Sequence, residues 1–192
     1  MTAGEIFGKI SAHQVEGMMF HEQMSDYYDF LGLDGYRCCH KYHYICETVN
    51  RAKIHKFYIN HYNKLVMDSP INSGSIIPVG WDKVTRLDVD PATKKNAVKS
   101  GVSEWHKWER QTKELYSQMH KELMEMGEYT AAEMVMWLIE ETEDEIKAAE
   151  SKTMYLTAIN YDLSDIYRCQ KKIREKYHDK LHCMEKCMME GC

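Results

Sequence analysis

The breakers in this chain are distributed so unevenly that they dictate its architecture. All three prolines, Pro70, Pro78 and Pro91, fall between residues 67 and 101, whereas Tyr129 to Glu190 holds neither glycine nor proline. Proline and glycine are the residues least compatible with a helix interior. The clean stretches therefore read as long helices and the proline segment as a link. Residues 5 to 31 predict helix A, ended by a Gly-Leu-Asp-Gly turn at 32–35, and helix B follows from Tyr36 to about Val66. Helix C is expected from near Val102, with Ser103 as its N-cap, to about Met126. Gly127-Glu128 then turns tightly into helix D. Segment 67–101 carries no convincing helix or strand pattern, apart from a short extended piece at Ile76-Ile77-Pro78-Val79. Either D is unusually long or, the preferred reading, a break near Asn160–Ser164, with Asp162 or Ser164 as cap, separates it from a fifth helix.

Two tight turns make A/B and C/D antiparallel hairpins. A helix of about 27 residues is roughly 40 Å long, a distance that a link of about 35 residues spans easily when extended. The pattern is thus an all-α four-helix bundle with one long crossover between B and C. Residues 1–160 form the bundle, and 161–192 form a C-terminal helical extension with a Cys/Met-rich tail. At 192 residues one core suffices.

Polar residues interrupt the apolar stripe of each of the four bundle helices. On A the stripe Ile10, Gln14, Met18, His21, Met24, Tyr28, Leu31 is broken at Gln14 and His21. On B, Asn50 lies on the stripe of Cys39, His43, Cys46, Ile54 and Phe57, with Glu47 beside it. On C, Glu109 sits among Trp105, Thr112, Tyr116, Met119 and Leu123; on D, Glu141 and Glu145 share a face with Met134, Leu138 and Ala148. Buried carboxylates are costly unless a cation or hydrogen-bond donors compensate them. Several on separate helices point to a metal site for Fe, Mn or Zn. Taken alone, the run at 140–145 reads as a solvated acidic face.

Net charge is −5, against nucleic acid as a partner. No apolar run is long enough to span a membrane, and the N-terminus does not read as a signal peptide. Seven cysteines and fourteen methionines suit a reducing cytoplasm rather than a disulfide framework. Cys39, His43 and Cys46 can share one face of helix B, where core cysteine is the simpler reading than a zinc or copper site. His178, His182, Cys183 and Cys187 form like pairs at i, i+4 in the tail, from which a zinc- or copper-scavenging role is a third reading. No Gly-rich phosphate loop, nucleophile elbow or Ser-His-Asp pattern is legible.

Four segments carry a resemblance: YYDFLGLDGY at 27–36, HKFYIN at 55–60, KWER at 107–110 and YTAAEMVMWLIEETEDE at 129–145. Together they resemble bacterial-type non-haem ferritins over residues 5–158. The resemblance implies a ferritin-like fold and a homo-oligomer binding iron, one or two ions per subunit, in a ferroxidase centre that oxidises Fe(II) with oxygen or peroxide. It assigns Glu47 as bridging ligand and Glu109 and Glu145 as terminal ligands. Glu141 and Asp144, with Glu145, would serve an accessory iron. The helix A ligand falls on Gln14, the helix B histidine on Asn50 and the tyrosine beside the centre on His21, so the resemblance implies an altered or single-metal centre. His21, two turns from Gln14, is a candidate replacement nitrogen ligand. The competing reading is a non-enzymatic ferritin-like scaffold that has lost the diiron centre and uses segment 67–101 and the tail for a partner.

Overall fold

The computed structural model describes residues 1–192 except 73, 78–80 and 191–192, and describes no side chain at 183 or 185–190. Five α-helices account for most of it: α1 (Ala3–Phe30), α2 (Asp34–Tyr62), α3 (Pro91–Glu125), α4 (Tyr129–Ala158) and α5 (Leu163–Glu190). There is no strand among the described residues. Two single 3-10 turns, Trp81–Lys83 and Arg86–Asp88, lie in the link between α2 and α3. The expected extended piece at 76–79 falls partly outside the described residues.

Three helix ends share one device. Gly32 (φ 70°) donates to the Asp29 carbonyl at 2.9 Å while Leu33 reaches back to that of Tyr28 at 2.9 Å. Gly127 (φ 77°) and Glu128 repeat the pattern on the carbonyls of Met124 and Leu123. At the end of α4 it recurs with Asn160 (φ 49°), the residue that tolerates the left-handed region best after glycine. The break expected at 160–164 is therefore present. Asp162 caps α5 by accepting the N–H of Ser164 at 2.9 Å and that of Asp165 at 3.3 Å.

One expectation is overturned. Helix α3 begins at Pro91, not near Val102, and Ser103 lies inside it. Pro91 occupies the first helical position, where a missing N–H and a fixed φ are assets. Asp90 caps the helix by accepting the N–H of Thr93 at 2.6 Å. Gly101, the last residue of the segment read as a link, is a helical residue whose Cβ would strike the Tyr28 ring.

The chain packs as two compact units. The first comprises Met1–Glu16, Val49–Asn72 and Val102–Tyr155. Its core draws on four helices: Ile6, Phe7 and Ile10 from α1, Ile54 and Tyr58 from α2, Tyr116, Met119 and Leu123 from α3, and Val135 and Leu138 from α4. The start of the link is tied to α1 in this unit. Ser69 donates to the Gly8 carbonyl at 3.0 Å, and Asn72 donates to the Glu16 carboxylate at 2.7 Å. Ser11 and His55 meet at 2.6 Å, while Asp68 approaches the same imidazole nitrogen at 4.0 Å. Asp68 also accepts a hydrogen bond from Ser11, so the trio clasps the start of the link to α1 and α2.

The second unit comprises Gly17–Thr48, Ser73–Gly101 and Leu156–Cys192. Here α5 buries the stripe Ile166, Ile173, Tyr177, Leu181. Its backbone at Gln170 comes so close to α2 that a Cβ on Gly35 would collide with it. The link continues alongside α1 in this unit: Ile76 donates to Gln23 at 3.0 Å, Trp81 packs on Tyr27, and Arg86 pairs with Asp29 at 2.8 Å.

Candidate metal centre

Six of the eight residues singled out in the sequence belong to the first unit: Gln14, Asn50, Glu109, Glu141, Asp144 and Glu145. Glu109 is the most committed of them. Its residue is 0 % exposed on α3, and one carboxylate oxygen accepts the indole N–H of Trp105, one turn earlier, at 2.8 Å. The i, i+4 spacing stacks the two side chains on one face. Gln14, also buried, donates its amide to the hydroxyl of Tyr116. Next to it, His13 stacks flat on Trp108 at 4.8 Å between ring centres and touches Thr112 at 2.9 Å and Glu16 at 3.2 Å. That hydrogen bond, with the Asn72 amide, holds the Glu16 carboxyl below its ordinary range.

Asn50 and Glu141 meet across the unit, the amide donating to the carboxylate at 2.9 Å. Burial pushes the Glu141 carboxyl upward, opposed by the Lys53 cation and the Asn50 bond, with Glu145 adding to the rise. Glu145, one turn on, is half-buried. Asp144 is exposed and pairs with Lys147 at 3.0 Å; it stands about 100° round the helix from its neighbour. The structure thus brings Asn50 to Glu141, turns Gln14 to Tyr116, and points Asp144 away to solvent.

Glu47 and His21 belong to the second unit. Glu47 is buried against Gly17 of α1, where a Cβ would lie 2.9 Å from a carboxylate oxygen. The missing side chain makes room for the acid. His21 does not stand alone. Its Nδ1 lies 3.0 Å from Nδ1 of His40, and its ring stacks against both His40 and His43. His40 was not singled out by the sequence reading; its spacing of three from His43 was the available signal. Cys39 is buried on the same helix and Cys46 half-buried. The tail cysteines Cys183 and Cys187 lie outside the described side chains.

The donors of the first unit suit a hard or borderline cation, because Glu109, Glu141 and Glu145 offer carboxylate oxygen. The amides of Gln14 and Asn50 fit less well, because a neutral carbonyl oxygen binds a divalent ion more weakly than a carboxylate does. Among the described residues, no three His, Cys, Asp or Glu side chains already stand grouped as ligands of one ion. Nor is any described helix long and apolar enough to cross a membrane.

No family model and no curated protein matches the chain. Solved structures do. An open pore ferritin from the hyperthermophilic archaeon Archaeoglobus fulgidus is 15% identical with a TM-score of 0.72, covering 89% of this chain and 94% of its own. A closed form engineered from the Archaeoglobus fulgidus ferritin is 14% identical with a TM-score of 0.73, over 90% and 96%. A humanized archaeal ferritin is 12% identical with a TM-score of 0.71 over the same shares. At these identities the likeness concerns architecture. The chain has the all-helical ferritin fold, a four-helix bundle with an added C-terminal helix.

Proposed function

We propose that the protein binds iron through its interior carboxylates and, as substrate, oxidises Fe(II) with oxygen or peroxide for storage or detoxification. The observation that supports this most is Glu109, a carboxylate wholly withdrawn from water on α3. Burying such a group is expensive, and a cation is one of the few partners that offsets the cost. Glu145 and Glu141 supply further oxygen donors in the same unit. Glu47 enters as bridging ligand through the resemblance alone, and Asp144 as an accessory ligand only if its side chain leaves Lys147. Gln14 and Asn50 replace an acid and an imidazole of the bacterial-type non-haem pattern, so the centre holds one firmly bound ion rather than a matched pair. Iron supplies the one-electron chemistry that no side chain offers; the carboxylates favour Fe(III) because their charge compensates the higher cation charge. We place the protein in the cytoplasm as a homo-oligomer.

A second reading has its own support. Asn50 donates to Glu141 and Gln14 to Tyr116, so two of the replaced positions are satisfied by protein groups. A metal-free ferritin-like scaffold would use such bonds. Elemental analysis of chelator-free full-length protein decides between the two, run beside Glu109→Gln/Glu145→Gln and Glu47→Gln variants. The glutamines keep the shape and the Trp105 acceptor. Iron present in the parent and lost in the variants supports the carboxylate site. Iron absent from the parent, or equal in all three proteins, hands the case to the scaffold.

A further inference from the structure

One contact beside Glu109 has no part in the ligand set. The Lys152 ammonium of α4 lies 4.8 Å from the centre of the Trp105 indole on α3. A cation–π attraction reaches to about 6 Å. The indole is 1 % exposed, and its N–H is the donor that Glu109 accepts at 2.8 Å. Ammonium, indole and carboxylate, from two helices of the first unit, thus touch in succession. Lys152 follows Glu145 by seven residues, two turns along the same face of α4, and Ala149 between them is 0 % exposed. Lysine ordinarily carries its ammonium out to water. A lysine laid over a buried ring is a feature to explain.

Each contact has a chemical consequence. A cation over the indole face draws π density toward itself, which leaves the N–H at the ring edge more positive. A more positive N–H is a stronger donor, and hydrogen bonds to ionised acceptors are the strong ones. The ammonium also holds the ring in one plane, which fixes the direction of its N–H. A donor of fixed direction selects one orientation of the carboxylate that accepts it.

We propose that Lys152 is a positioning residue for Glu109 and acts through the Trp105 indole. The ammonium fixes and strengthens the indole donor, and the indole fixes the carboxylate. The inference rests on the reading of Glu109 as a ligand of iron. In that reading neither Lys152 nor Trp105 touches the ion; the indole holds a ligating group in place, as the partners of metal ligands do. Direct charge works against Lys152, because an ammonium repels a cation. Its benefit therefore has to travel through the ring.

A double-mutant cycle on the full chain tests that route. Fe(II) affinity is measured without oxygen, by competition with a chelating dye. Trp105→Phe keeps a ring face for Lys152 but has no N–H, and should weaken binding about 10–100-fold, the usual result of losing a partner of a ligand. Lys152→Met keeps the length of the side chain without its charge. It should weaken binding in the parent but not in Trp105→Phe, where only relief of charge repulsion remains. Lys152→Arg should restore the parent affinity. A second readout needs no metal. The Trp105 indole N–H proton resonance should move upfield in Lys152→Met and in Glu109→Gln, and stay in place in Lys152→Arg. Equal weakening by Lys152→Met in both backgrounds, or an indole resonance indifferent to residue 152, would overturn the inference and leave the carboxylate reading standing. A parent without Fe(II) affinity removes that reading, and the role of Lys152 with it. Should Trp105→Phe misfold, Lys152→Met and Lys152→Arg decide the matter on affinity and resonance together.

Discussion

The two units solve the problem of interior polarity in opposite ways, although α1, α2 and α3 each contribute to both. In the first, the candidate ligands and their neighbours are oxygen and amide groups, each held by a donor from its own turn or from another helix: Glu109 by Trp105, Glu141 by Asn50, Tyr116 by Gln14. In the second, besides the buried carboxylate of Glu47, imidazoles and phenols are held largely ring against ring, as in His21–His40, Tyr28–His40 and Tyr28–Tyr36. Carboxylates carry charge and demand a cation or several donors. Imidazoles can be buried neutral, and their faces pack like any aromatic surface. The same helical scaffold therefore secures carboxylates by hydrogen-bond donors in one unit and imidazoles largely by ring contact in the other.

The sharpest way to break this pairing is to damage each core separately. Ile54→Ala in the first unit and Ile166→Ala in the second both empty positions that are fully buried. Each should cost about 2–5 kcal/mol in urea unfolding. Hydrogen exchange should show protection lost first in the unit that carries the change. If both variants open the same segments, the units are not separable in energy.

A smaller effect belongs to the second unit alone. Gly35→Ala places a Cβ against the backbone of Gln170, which cannot move without shifting α5. A destabilisation of about 1–3 kcal/mol is expected, with exchange quickening along 163–181 while the first unit keeps its protection. An unchanged α5 would mean that its docking is looser than the contact implies.

The matching change in the first unit is Trp105→Phe, which removes the N–H that Glu109 accepts. Leaving a buried acceptor short of its donor costs about 1–3 kcal/mol. Glu109→Gln keeps a carbonyl for the indole and should cost less. If metal protects the site, added Fe(II) should raise the stability of Trp105→Phe but not that of Glu109→Gln.

What the sequence revealed of these units follows physical lines. The turns at Gly32 and Gly127 were legible because a left-handed residue at a helix end leaves a glycine signature, and Asn160 carried the same signal in weaker form. The start of α3 was not. Gly101 looks like a breaker, yet it is helical because the Tyr28 ring needs the space, a reason that exists only in three dimensions. The Asp90-Pro91 pair was a readable start signal that Gly101 obscured. At the site, helical period sufficed to place Gln14 and Glu109 indoors, since burial follows the stripe. Period could not choose partners: Asn50 reaches Glu141 across 91 positions of sequence. His21 turned to His40, a residue off the stripe that had been used to read helix B.

The smallest expected effect separates the units by their response to acid. Asp90 and Asp162 cap α3 and α5 in the second unit, and the backbone N–H and hydroxyl groups of Thr93 and Ser164 hold both carboxyls below their ordinary value. Their capping contribution is therefore complete above the unfolded value of 3.8 and disappears as pH falls through the lower folded values. Glu141 in the first unit runs the other way. Burial raises its pKa, so the folded form holds its proton more readily than the unfolded form. Stability from this group then falls as pH rises from the unfolded 4.5 through the raised folded value. Asp90→Asn and Asp162→Asn keep a good cap but should flatten the acid side of a urea-midpoint profile taken from about pH 2.5 to 6. Glu141→Gln should flatten only its upper side. If all three variants flatten the same limb, the units do not titrate separately and acid does not distinguish them.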